Sequence, residues 1–222
     1  MSRNLFSLAV CLGSSHLAVA DPLLQTMRSL STDGPIYAYE MEYQDNEITA
    51  TGRIDPSQPE GRRIQVLSPS EETWSDEFRV GLAEMDAETD GDIWCADFAE
   101  MVPDNAAVIL ETDSKATYAF TPVPEADADG TERKMMKKIK GEVTLDKTDG
   151  AITAFRMRLP EPYKPAFVVK ISEFDMSATC SRAPDGRTYI EAFSFAIDGS
   201  AMMQSFNETM SRKITKLLDP VG

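Results

Sequence analysis

The residues of this chain best spaced for chemistry are acids. Asp86, Glu88, Asp90 and Asp92 set carboxylates at alternate positions, Gly91 stands sixth in the run, Ile93 eighth and Asp97 twelfth. Oxygen ligands in that pattern, with a glycine for the sharp turn, are those of an EF-hand calcium loop. Three features count against it. Glu88 is longer than the usual third ligand, Asp97 is too short for bidentate binding at the twelfth, and Pro103 cuts the exit helix short. The stretch therefore reads as a solvated helix terminus without metal, and calcium held by Asp86, Asp90, Asp92 and Asp97 is the alternative.

Other chemistry is scarcer. His16 is the only histidine, and it lies in a segment with the marks of a secretory leader: Arg3 at its start, an apolar run over 5–12, and Ala18-Val19-Ala20 before Asp21. The expected organisation is a signal peptide over 1–20 and a single binding domain over 21–222. A mature chain without histidine has no Ser-His-Asp or Cys-His machinery and no zinc site of the His-bearing kinds. No glycine-rich phosphate loop follows a strand. Neither a cofactor nor an enzyme is expected, because carboxylate catalysis would require two acids that face one another. With 37 acids against 22 bases the chain repels nucleic acid. No later run reaches the roughly 20 apolar residues of a spanning helix, so a periplasmic or secreted protein is expected. Cys95 and Cys180 are the cysteines left after the leader. In an oxidising compartment they read as a disulfide worth roughly 4 kcal/mol in chain-entropy terms, with two buried thiols as the alternative.

The elements that would position these groups are mostly strands. Ile139, Gly141, Val143 and Leu145 alternate with Lys140, Glu142 and Thr144, the mark of a half-buried strand. Asp149-Gly150 supplies the hairpin turn, and 152–159 returns. The next run, 167–176, shifts its apolar parity from Phe167, Val169 and Ile171 to Phe174 and Met176, which predicts a bulge and a bent sheet. Tyr189, Phe193, Phe195 and Ile197 continue the pattern, and Met202, Met203 and Phe206 suggest a last strand, with Ile214, Leu217 and Leu218 a short terminal element. Earlier in the chain, Leu23, Leu24, Met27 and Leu30 have helical spacing, 37–43 and 48–54 form a hairpin, and 64–67 a short strand. Ser68-Pro69-Ser70-Glu71 predicts a helix start. Trp74, Phe78, Leu82 and Met85 then share one face, as in a helix lying across the sheet. Val108, Leu110, Tyr118 and Phe120 are inward candidates of a further hairpin. Arg133, Lys134, Lys137, Lys138 and Lys140 form the one basic cluster, which either docks anionic headgroups or an acidic partner or guards an open strand edge.

The order of these parts resembles the LolA/LolB-like periplasmic lipoprotein-carrier superfamily and the exported proteins related to it. The likeness rests on the leader and N-terminal helix, the paired strands, the helix at about 69–86 and the meander containing the Gly141-Glu142-Val143-Thr144-Leu145-Asp146 to Asp149-Gly150 hairpin. It implies an α+β fold: a strongly curved antiparallel sheet, an unclosed β-barrel, covered by a few helices around an apolar cavity for acyl chains. The expected ligand is an apolar small molecule or the acyl chain of a lipoprotein, with an envelope protein as a further partner; the alternative is a cell-envelope interaction or sensor module with a solid core. Phe155, Met157, Phe167, Phe193, Phe195 and Met203 are the candidate cavity wall, the alternative being that they are ordinary core.

Overall fold

The computed structural model describes residues 21–124 and 128–221; the leader expected over 1–20 lies outside the described residues. In chain order the elements are α1 (Pro22–Arg28), β1 (Ile36–Asp45), β2 (Thr49–Ile54), β3 (Ile64–Ser68), α2 (Asp76–Glu88), β4 (Ala107–Glu111), β5 (Lys115–Phe120), α3 (Gly130–Met136), β6 (Lys140–Asp146), β7 (Ile152–Arg158), β8 (Tyr163–Ala166), β9 (Val169–Arg182), β10 (Thr188–Ala201) and β11 (Gln204–Val221). Short 3-10 segments occupy Glu71–Thr73 and Cys95–Met101. All strands join one antiparallel sheet of order β3-β2-β1-β11-β10-β9-β7-β6-β5-β4, with β8 attached to β9. The sheet does not close, so β3 and β4 are its edges, and the fold is α+β as expected.

Side-chain alternation sorts the sheet into an apolar and a polar face. Phe155, Ala178, Phe193, Arg212, Tyr43 and Ala50 stand opposite one another across successive strands, beside a second row of Arg156, Ser177, Ser194, Ser211, Gln44 and Thr49. Over β5 to β9 the apolar face is solidly filled. Leu24 and Met27 of α1, with Cys95 and Phe98 of the 3-10 segment, bury Tyr118, Val143, Leu145 and Phe155. Phe98 stacks on Phe155 at 4.4 Å between ring centres. A second cluster joins Tyr37, Ile54, Ile93, Trp94 and Ile214. Arg187 ties the α1–β1 connection to the β9–β10 turn: its guanidinium lies 3.5 Å from the Trp94 ring centre, pairs with Asp185 at 2.6 Å and donates to the carbonyls of Thr32 and Pro35.

The predicted hairpin at 146–152 is present, closed by Gly150 at φ +75, a left-handed value that favours glycine. The bulge is present too: Glu173 opposes Asp198 and Ile171 opposes Gly199, leaving Ser172 as the extra residue. The Cys95–Cys180 disulfide is formed, with 6.4 Å between Cα atoms.

Five expectations are corrected. The long helix does not start at Pro69 behind a Ser68 cap; Ser68 ends β3, a 3-10 turn intervenes, and the cap is Ser75, whose side chain accepts from the Phe78 amide at 3.1 Å. Val108 and Leu110 are exposed because β4 is an edge strand without a layer above it. Lys140 guards no open edge, since β6 lies between β5 and β7. Phe167 belongs to the β8–β9 turn and not to a strand. Met202 and Met203 form the two-residue turn between β10 and β11, both at positive φ, so the final strand starts only at Gln204.

Candidate functional site

The apolar face that is full over β5 to β9 is filled over β1 to β3 only in part, where Ile93 and Trp94 bury Tyr37, Tyr39 and Ile54. Over the remainder α2 crosses the sheet, and a cavity of about 580 Å³ separates them. Met41, Ala50, Ile54, Ile64 and Val66 form its floor, and Phe78, Gly81, Leu82 and Met85 of α2 its roof. That volume lies within the roughly 300–1,000 Å³ of ordinary ligand pockets. A smaller recess of about 120 Å³ continues it toward Ile93, Ile190 and Ile214, sharing Met41, Tyr43, Ile54, Ile64 and Met85.

The helix is held at its two ends and not along its length. At the N-terminal end, Trp74 donates its indole N–H to the Pro69 carbonyl at 3.0 Å and packs edge-on against Phe78 at 5.4 Å. Arg79 reaches back to Glu71 at 2.8 Å and lies over the Trp74 ring. At the C-terminal end, the buried Asp86 carboxylate accepts from the Ile64 amide at 2.8 Å and from the Gly61 amide, while Arg63 donates to the Ala87 carbonyl at 3.0 Å. Asp86 is the only buried residue of α2. Phe78 and Leu82 remain half-buried and Met85 is 37% exposed. A helix normally gains about 1.5–3 kcal/mol for each large apolar side chain it buries, and α2 leaves much of that unrealised. The rim of the cavity is polar. The Tyr43 hydroxyl donates to Asp45 at 2.9 Å, and burial together with that carboxylate pushes the phenol up to about 12, so it stays a neutral donor.

None of the wall residues named from sequence lines this cavity. Phe155 and Met157 are buried in the filled half, under α1 and the 3-10 segment. Phe193 and Phe195 are half-buried on the apolar face of β10, Phe193 beneath the Arg212 guanidinium at 5.0 Å and Phe195 edge-on to Phe174 at 5.8 Å. Phe167 and Met203 are fully exposed at turns, 101% and 100% of their reference area. The cavity residues carried signals that periodicity could read, the α2 stripe and the β1–β2 alternation, but nothing in those patterns said that the space between them stays open.

The acids of 86–97 are not gathered around one point. Asp86 is committed to two backbone amides, Asp90 accepts from the Asp92 amide at 2.8 Å, and no cluster of three metal-capable side chains occurs among the described residues. Asp86, whose carboxylate satisfies two backbone amides, is thereby turned away from a loop-centred ion. Asp92 and Asp97 do meet. Burial first, then a hydrogen bond and repulsion from Asp92, with Glu100 and Asp90 adding, push the Asp97 carboxyl from 3.8 up to about 6. A carboxyl raised in the folded state resists ionisation there, so the fold is favoured while it is protonated and loses that advantage as pH rises from about 4 through about 6. Asp97→Asn is accordingly expected to stabilise near pH 7 by about 1 kcal/mol, screening by solvent keeping the gain small, and to change nothing near pH 4. Urea unfolding at both pH values measures it; equal effects at both would refute the assignment.

With this geometry in place, comparison with known proteins adds no relative. No family model, curated protein or solved structure matches the chain. What the site can do therefore follows from its shape and chemistry alone. No helix among the described residues is long and apolar enough to cross a membrane.

Proposed function

We propose that this protein is a non-enzymatic binding protein of the cell envelope, periplasmic or secreted, that holds an acyl chain of a lipid or lipoprotein, or another apolar ligand, between α2 and strands β1 to β3. The observation that carries the reading is the helix fastened at both ends by polar contacts over an unfilled apolar space. A packed core would have closed there; a container has to leave room. An unclosed antiparallel sheet with a helix over an apolar trough is also what likeness to the LolA/LolB-like carriers implies, and that likeness is part of the proposal. The disulfide fits an oxidising compartment.

Native mass spectrometry of protein purified from its host, with titration of a fluorescent fatty acid, tests the reading. The expected result is a co-purifying apolar mass and saturable binding of the probe at one site. A clean ligand-free mass together with no probe binding would overturn it.

A further inference from the structure

We propose that the paired tips of the β8–β9 and β10–β11 hairpins are a docking surface for an anionic lipid bilayer, entered by Phe167, Val168, Met202 and Met203 and held by the lysines behind them. This inference goes beyond the ligand reading and does not depend on the cavity.

The tips end a projection. Asn46 of the β1–β2 turn bonds Asn207 and Thr209, and the Leu159 amide donates to the Phe174 carbonyl; ahead of Asn207, β11 pairs with β10 alone, and ahead of Phe174, β9 pairs only with β10 and β8. The ends of strands β9 to β11 thus extend as a short finger beyond the rest of the sheet, the part of β11 ahead of Asn207 measuring roughly 10 Å. At its end the two turns are joined, the Met202 amide donating to the Val168 carbonyl at 2.8 Å. Phe167 and Met203 are fully exposed, Met202 is 75% and Val168 51% exposed.

The turn chemistry argues that the side chains themselves are needed. A two-residue hairpin turn with positive φ at both positions is the setting in which Asn-Gly is favoured, because most side chains resist that conformation. Met202 at φ 52 and Met203 at φ 69 occupy it instead. Folding alone would have chosen otherwise, and solubility alone would not have placed methionine there.

Charge identifies the occupant. Although acids outnumber bases 37 to 22 in the whole chain, residues 162–172 contain Lys164 and Lys170 and no acid, and residues 199–207 carry no charge. The nearest acids along the finger, Glu173 and Asp198, and the Asp45 and Glu47 of the β1–β2 turn, sit roughly 14 Å or more behind the tips. That is farther than the Debye length of about 10 Å at moderate salt. α3 packs against β8 and carries exposed Lys134, with Lys137 and Lys138 just after it, against the single exposed acid Glu132, Lys138 lying over the Tyr163 ring at 6.0 Å. Four apolar side chains on turn apices offer no groove for a shaped partner, whereas a fluid bilayer accepts them without complementarity, and its phosphates suit the lysines.

Co-sedimentation of the purified protein with vesicles of equimolar phosphatidylglycerol and phosphatidylcholine tests the proposal. Wild type is expected to bind these vesicles, to bind pure phosphatidylcholine far less, and to be released by salt. Met202→Asn with Met203→Gly should weaken binding by about tenfold or more while the melting temperature holds or rises, since the turn is relieved. Lys164→Glu with Lys170→Glu should abolish the preference for anionic lipid. Gly81→Phe, which alters only the cavity, should dock as wild type does. Failure of wild type to sediment, equal binding by the Asn-Gly variant, or a concentration-dependent dimer that this variant abolishes without any vesicle binding would each overturn it, the last in favour of a second copy as the occupant.

Discussion

Gly81→Phe is expected to abolish binding of an apolar probe while raising the melting temperature. Gly81 lines the cavity from the middle of α2, and a Cβ built there meets nothing within 4 Å. The added ring would enter the empty space and touch the floor formed by β1 to β3. Replacing a helix-interior glycine by an ordinary residue relieves about 0.3–0.5 kcal/mol. Partial burial of the ring adds on the order of 1–2 kcal/mol. In a chain of this size each kcal/mol moves the melting temperature by about 2–4 °C, so a rise of several degrees is expected. The opposite signs are diagnostic: a mutation that damages the fold lowers both stability and binding, whereas filling a container raises one and removes the other. Gly81→Ala serves as the control, with a small gain in stability and unchanged affinity. Probe binding by Gly81→Phe at wild-type strength would show that the ligand does not lie under α2, and the proposed function would fall with it.

Removing the disulfide is expected to have the largest effect on stability. Cys95 and Cys180 are 85 residues apart, and closing a loop of that size restricts the unfolded chain by roughly 4 kcal/mol. The bridge fastens the 3-10 segment Cys95–Met101 to β9, where Cys95 is fully buried beside Phe98. A Cys95→Ala, Cys180→Ala double variant should therefore melt about 8–16 °C lower than wild type. The bridge lies in the filled half of the apolar face, so binding by the double variant, measured well below its melting point, should persist. A loss of less than about 1 kcal/mol would mean that the reduced chain already keeps these segments together in its unfolded ensemble.

Much of the architecture was readable before the sheet was assembled. The 139–145 and 152–159 strands, their Asp149-Gly150 turn and the bulge in β9 all follow from where apolar parity holds and where it breaks. Parity is a property of neighbouring residues, and strand geometry enforces it locally. The candidate site was less legible. Phe155 and Phe193 share parity with Tyr43 and Ala50 across the sheet, but Phe155 is packed under a filled layer whereas Tyr43 and Ala50 line the cavity under α2. Alternation names the apolar face of a strand and is silent on what packs against it. The Met202-Met203 turn was hidden for a related reason. Two methionines between strand-like runs look like strand, and only the pairing of Ala201 with Gln204 obliges both to take positive φ.

By itself, the sequence determined that this is a strand-rich chain without histidine beyond residue 16, with two cysteines beyond residue 20 and an excess of acids over bases. Those properties depend on composition and short-range spacing, which no rearrangement of the fold can alter. The tertiary structure alone decided that β11 returns to β1, that β6 is interior, and that α2 is fastened only at its ends, over a space rather than a core. Such features are set by contacts between residues far apart in the chain, whose pairing is chosen by the summed packing of all strands and by no single segment.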